Sequence, residues 1–133
     1  MAPHVLLVDD SALMVDALRL LLEETGHRVS AAFNVREAVK VATAERPDII
    51  LLDLTLGRED GLSVLAELAR TGNLPRAAVA LTGHDTPDVR ERCLREGCID
   101  VLTKPIRTME LPGHIREWLS RDRREALSSD STP

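Results

Sequence analysis

The sequence predicts an α/β fold: a three-layer, doubly wound sheet of five parallel strands with helices on both faces. Three observations lead there. Short apolar runs alternate five times with stretches of helical periodicity, and such alternation builds a parallel sheet. The run Ile49-Ile50-Leu51-Leu52 is unbroken, as expected of a central strand covered on both faces. Helix-start signals follow the strands: Ser11, Asn34 with Glu37, and Thr86-Pro87-Asp88. These are caps, a first-turn proline and an acid at the positive end of the helix dipole.

The elements follow in order. His4–Val8 is the first strand and ends in Asp9-Asp10. Ser11 caps a helix whose apolar positions are Leu13, Met14, Ala17, Leu18, Leu21 and Leu22, a helical spacing. Gly26 stops it. Arg28–Ala32 reads as the second strand. Asn34 opens a helix with an apolar face at Ala38, Val39 and Ala42, and Pro47 ends that unit. The central strand ends at Asp53. A loop with Gly57 and Gly61 leads to a helix over Leu62–Arg70. Ala78–Leu81 is the fourth strand and ends at Thr82. Thr86 opens the next helix and Gly97 closes it. Val101–Thr103 is the fifth strand, followed by Lys104-Pro105. The last helix runs through Leu111, Ile115, Trp118 and Leu119. Pro112 either makes that helix start late or kinks it. Residues 1–120 form one domain. Residues 121–133 form a polar tail, with disorder expected over Ser128–Pro133.

Composition narrows the function. A chain of 133 residues suits one domain. Phe33 and Trp118 are the only aromatics, so the core must be aliphatic. A formal charge of -5 argues against nucleic acid as the main partner. No stretch reaches the length of a membrane span, and the first residues lack a signal-peptide pattern. The expected location is the cytoplasm. Cys93 and Cys98 match neither a zinc site nor a redox pair. They are expected to be small buried hydrophobes.

In a parallel α/β sheet, ligands bind beyond the carboxyl ends of the strands. Asp9 and Asp10 stand at the end of strand one, Asp53 at strand three, Thr82 at strand four and Lys104 at strand five. Three crowded carboxylates repel unless a cation relieves them. Few protein ligands and open positions favour Mg2+, with Mn2+ able to substitute. A metal held by carboxylates beside a lysine and a hydroxyl is a phosphoryl-transfer arrangement. One carboxylate can then be the nucleophile. Asp53 is the best candidate because it ends the central strand.

The acidic pair Asp9-Asp10, Asp53 after its apolar run, Thr82 and Lys104-Pro105 together resemble the signature of response-regulator receiver domains of two-component signalling. The resemblance covers about residues 4–120. It implies a flavodoxin-like receiver fold with strand order 2-1-3-4-5. It implies that Asp53 accepts a phosphoryl group from a sensor histidine kinase or a histidine phosphotransfer protein. Asp10 would bind Mg2+ directly, and Asp9 through a water or by orienting it. The Thr55 backbone carbonyl would be a further ligand. Thr82 and Lys104 would bind phosphoryl oxygens, with Thr82 and Val101 as switch positions. By the same resemblance, Thr55 and His84 would occupy positions that tune dephosphorylation in this family. The protein would not be a conventional enzyme, although it catalyses its own phosphorylation and dephosphorylation. Output would pass to an unidentified downstream protein, without direct contact to DNA or membrane. A homodimer through the last helices fits the same resemblance.

Two positions depart from the pattern. Val101 stands where relatives often carry Tyr, Phe or His. Gly57 stands where proline is usual, which predicts a looser loop. These departures leave an alternative reading, a receiver-like interaction module that is not phosphorylated. Two enzymes on similar sheets fit poorly. Asp9-Asp10-Ser11 is hostile to the phosphate of a flavin, and Thr55 replaces the second acid of a haloacid-dehalogenase-type phosphatase.

Overall fold

A computed structural model describes residues 2–131, with side chains described as far as Arg121. In chain order the elements are β1 (His4–Val8), α1 (Ala12–Glu24), β2 (Arg28–Ala32), α2 (Val35–Glu45) and β3 (Ile49–Asp53). Then come β4 (Thr55–Leu56), β5 (Glu59–Asp60), α3 (Leu62–Arg70), β6 (Ala77–Thr82), α4 (Pro87–Arg95) and β7 (Asp100–Thr103). A 3-10 turn (Thr108–Glu110) leads into α5 (Leu111–Ser131). The main sheet is parallel, in the order β2-β1-β3-β6-β7. Setting the short β4–β5 hairpin apart, this is the 2-1-3-4-5 order that the resemblance implies.

Local chemistry starts the helices where the sequence places them. Ser11 Oγ accepts from the Met14 N–H (3.3 Å) and Thr86 Oγ1 from the Val89 N–H (3.3 Å). Asn34 Oδ1 accepts from the Glu37 N–H (2.8 Å), while the Glu37 carboxylate reaches back to the Phe33 N–H (2.9 Å). The bonds to Ser11, Asn34 and Thr86 each satisfy a donor that the first helical turn leaves without a partner.

Strand alternation sorts the core into two layers. Val5, Leu7, Ile49, Leu51, Val79 and Leu81 face α1 and α5, where Leu18, Leu22, Ile115 and Trp118 cover them. Leu6, Val8, Ile50, Leu52, Ala78 and Ala80 face the other way, against Ala38, Leu65, Leu68 and Cys93. Both faces of β1, β3 and β6 are dry. The strands therefore need no polar alternation, and their ends are the only places along them where polar side chains find water.

One expectation changes and one open choice is resolved. The glycine loop after β3 is an ordered antiparallel hairpin, with Thr55 opposite Asp60 and Leu56 opposite Glu59. Gly57 is the first residue of its two-residue turn and has φ 62. Such hairpin turns require positive φ there, which glycine adopts without cost and proline cannot. The last helix starts at Leu111 with Pro112 in its first turn, so of the two readings the late start holds. It then continues through Ser131. Its later residues include Arg, Glu, Ala and Leu, all good helix formers. Thr132 and Pro133 lie outside the described residues.

Cys93 and Cys98 are free and buried. Burial pushes the Cys98 thiol up to about 12 and also raises that of Cys93, which keeps both protonated and inert. Among the described residues no helix is long and apolar enough to cross a membrane.

Candidate functional site

Parallel register brings the strand ends onto one rim. Val8 pairs with Leu52, Asp53 with Leu81, and Thr82 with Thr103. Asp9, Asp53, Thr82 and Lys104 therefore stand side by side at the carboxyl edge. Asp9, Asp53 and Thr82 are buried at 4%, 6% and 7% exposure, while Asp10 is exposed. Asp9, Asp10 and Asp53 each offer an oxygen within 4.8 Å of the other two. The Lys104 ammonium donates to Asp53 Oδ2 (2.9 Å) and Asp9 Oδ2 (3.3 Å). Partial burial disfavours its charge. Even so, the hydrogen bond and charge of Asp53, with those of Asp9, hold it above the ordinary lysine value.

Backbone donors fix the oxygens in place. Asp9 Oδ1 accepts from the Ser11 N–H (2.9 Å), and Asp53 Oδ1 from the Thr55 N–H (3.0 Å). Asp10 Oδ2 accepts from the Gly57 N–H (3.0 Å), and Thr82 Oγ1 from the His84 N–H (3.0 Å). The Lys104 N–H donates to the Thr82 carbonyl (2.7 Å), which ties the last two strands together at the rim. Each charged or hydroxyl group is thus held before any ligand arrives, and preorganised dipoles need no rearrangement during a reaction.

The donor set answers what could sit here. Three carboxylates against one ammonium leave surplus negative charge, and the donors are all hard oxygens. That combination fits Mg2+ or a similar cation and does not fit a soft metal.

Asp9, Asp10, Asp53, Thr82 and Lys104 thus come together as the sequence predicts. Thr55 joins them through its N–H on Asp53. His84 is exposed and, with Thr55, Thr82 and Arg92, lines a cavity of about 400 Å³ between the hairpin and α4. Val101 does not reach the rim. It is 3% exposed and packs in the apolar layer with Cys93 and Cys98. A larger cavity, about 850 Å³, opens at the opposite end of the sheet beside Pro3, Arg28 and Arg46.

Two functional positions escape sequence reasoning. Gly57 holds Asp10 with a backbone N–H that proline would lack. Gly61 lies so close to β3 that a Cβ there would stand 2.0 Å from the Asp53 carbonyl oxygen. A glycine shortly after the candidate nucleophile was the only signal, and glycines in loops are common.

Comparison with known proteins agrees with this geometry. The family model described as the response regulator receiver domain matches residues 5–116. The transcriptional regulatory protein AfsQ1 of Streptomyces coelicolor is 34% identical over 129 residues, covering 97% of this chain and 56% of that protein. The response regulator MprA of Mycolicibacterium vanbaalenii is 36% identical over 122 residues, covering 91% and 52%. The chain thus spans about half the length of these curated relatives. Among solved structures, the receiver domain of the sensor histidine kinase PA1611 from Pseudomonas aeruginosa superimposes with a TM-score of 0.79. It is 31% identical, covers 90% of this chain and 99% of that one, and carries a magnesium ion coordinated in its active site cleft. The receiver domain of the Francisella response regulator 1452 gives a TM-score of 0.81 at 27% identity, covering 90% and 98%.

Proposed function

The chain belongs to the response regulator receiver domain family, and we propose that Asp53 is its phosphoacceptor, with Lys104 and Thr82 as the groups that bind the transferred phosphoryl. The observation that supports this most directly is the Lys104 bridge between Asp53 and Asp9, at 2.9 and 3.3 Å.

The chemistry follows from these positions. A carboxylate oxygen of Asp53 attacks the phosphorus of a phosphohistidine on a sensor kinase or phosphotransfer protein. The P–N bond breaks, and its electron pair returns to the imidazole, which leaves neutral when its other nitrogen carries a proton. The product is an acyl phosphate. Lys104 already points its charge at Asp53, where the phosphoryl oxygens arrive, so charge is met without rearrangement. Thr82 offers a hydroxyl from the next strand end. Hydrolysis reverses the state: water attacks the phosphorus, inorganic phosphate departs and the carboxylate returns. Thr55 and His84 line the approach to that phosphorus and set how readily water enters. Asp9, Asp10 and Asp53, with the Thr55 carbonyl, would hold Mg2+, and Mn2+ would serve in its place. The bound ion would neutralise charge on the phosphoryl oxygens.

The deciding experiment is phosphoryl incorporation from a small phosphodonor in Mg2+, measured as added mass, with Asp53→Asn as control. The native chain should take up one phosphoryl group and the variant none. No Mg2+-dependent uptake, or equal uptake by the variant, would sink the assignment and favour a module that works unphosphorylated.

The metal reading has its own test. Mg2+ binds the folded chain only, so it should raise the melting temperature, by an amount equivalent to about 2.7 kcal/mol at one hundred times Kd. Asp10→Asn should abolish most of that rise. In the absence of metal, the same variant should be more stable by up to about 1 kcal/mol, because one of three like charges is gone. Equal Mg2+ shifts in both proteins would remove Asp10 from the ligand set.

A further inference from the structure

A connected set of polar groups runs from the Thr82 loop to α5, and none of them belongs to the site above. Asp85 lies three residues beyond Thr82. Its Oδ2 accepts from Arg90 Nη2 on α4 (2.9 Å) and from the Thr103 hydroxyl on β7 (3.2 Å). The same Arg90 Nη2 donates to the Val101 carbonyl (3.2 Å), and Nη1 lies 3.6 Å from Asp100 Oδ1. Asp100 in turn accepts the indole N–H of Trp118 at Oδ2 (3.0 Å), with Arg121 Nη1 4.0 Å away. Trp118 is 1% exposed. Three residues, Asp85, Arg90 and Asp100, thus join the loop beside the phosphoacceptor to a buried aromatic on α5.

A single exposed ion pair contributes little. Arg90 is differently placed, because its planar fork meets Asp85 and the Val101 carbonyl through Nη2 and faces Asp100 through Nη1. The Asp85 and Asp100 side chains are only 21% and 28% exposed. Arg90 holds the Asp85 carboxyl below its usual range.

The loop end of the set is mechanically tied to Thr82. The His84 N–H donates to Thr82 Oγ1 (3.0 Å) and the Thr86 N–H to the His84 carbonyl (3.2 Å). A Thr82 hydroxyl that turns to a phosphoryl oxygen must release or drag this turn. Asp85 sits inside the turn, so a turn that moves with Thr82 shifts the bonds of Asp85 to Arg90 and Thr103. The Val101 side chain lies in the apolar core and carries no polar group that could answer Thr82 across the same strand.

We propose that Asp85, Arg90 and Asp100 form an ionic relay by which a phosphoryl group on Asp53 alters the surroundings of Trp118 and the set of α5. The proposal rests on Asp53 being the phosphoacceptor. It replaces an aromatic switch at Val101 with a charge network on the neighbouring helix.

Trp118 supplies the readout, because the chain has one tryptophan and no tyrosine. Its emission is followed while the full chain is phosphorylated in Mg2+, with uptake measured separately by mass. The native chain should change its emission as uptake proceeds. Arg90→Ala should take up phosphoryl to the same extent and lose most of the emission change. Asp85→Asn, which keeps shape and a hydrogen bond to Thr103 but weakens the ion pair, should do the same and stands in if Arg90→Ala melts at the assay temperature. Full uptake with an undiminished emission change in either folded variant overturns the relay alone. So does uptake by the native chain with no emission change at all. Failure of uptake in the native chain overturns the phosphoacceptor reading, and the relay with it.

Discussion

Gly61→Ala should destabilise the protein by about 3 kcal/mol, the upper end of ordinary overpacking costs, and should remove most phosphoryl uptake. The added Cβ would stand 2.0 Å from the Asp53 carbonyl oxygen and 2.9 Å from the Leu54 Cα. Both contacts are with backbone, so no side chain can swing away to relieve them. Either the end of β3 moves or the start of α3 does. The Gly61 N–H also donates to the Leu54 carbonyl (2.8 Å), and separating the two segments breaks that bond. Asp53 is carried on the displaced segment, and its carboxylate then loses its alignment with Lys104. The demand is spatial. Gly61 has an ordinary helical φ of -56, so its backbone conformation alone would accept alanine. Denaturant unfolding and phosphoryl uptake of the variant are the two measurements. A native midpoint with native uptake would show that the approach of α3 to β3 is looser than described.

Lys104→Met should lower phosphoryl uptake by roughly 100-fold or more, the usual consequence of losing one preorganised electrostatic group. It should also destabilise the metal-free protein, because two buried carboxylates lose their counter-ion. The Asp9 and Asp53 side chains are 5% and 9% exposed. Breaking a fully buried pair costs about 3–5 kcal/mol. The lysine side is 28% exposed, so a loss of about 1–3 kcal/mol is expected here. The two effects separate on adding Mg2+. A bound cation replaces the missing charge between the carboxylates, so stability should recover. It cannot supply the ammonium that meets the phosphoryl oxygens, so uptake should stay low. Melting curves and uptake rates with and without Mg2+ test this. Uptake within a few-fold of native would demote Lys104 to a structural counter-ion.

These two residues differ in how visible they are in the sequence. Lys104 is legible because it ends an apolar run in a chain that alternates strand and helix. The same logic found Asp9, Asp10, Asp53 and Thr82, since each ends a run. Parallel alternation puts every such end on one edge, and both faces of the central strands are apolar. Caps such as Ser11, Asn34 and Thr86 are equally legible, because they act within four residues of themselves. Fold class, strand ends and the gathered chemical groups were therefore determined by local pattern. The tertiary structure decided the rest. It made Gly61 indispensable through a contact between two segments, and reversed the meaning of Gly57, whose turn is ordered and whose N–H holds Asp10. It also joined Asp85, Arg90, Asp100 and Trp118, which lie on four separate parts of the chain. The physical reason is range. Periodicity and capping are properties of neighbouring residues, whereas a close backbone approach or an ion pair depends on which distant segments come to rest within a few ångströms.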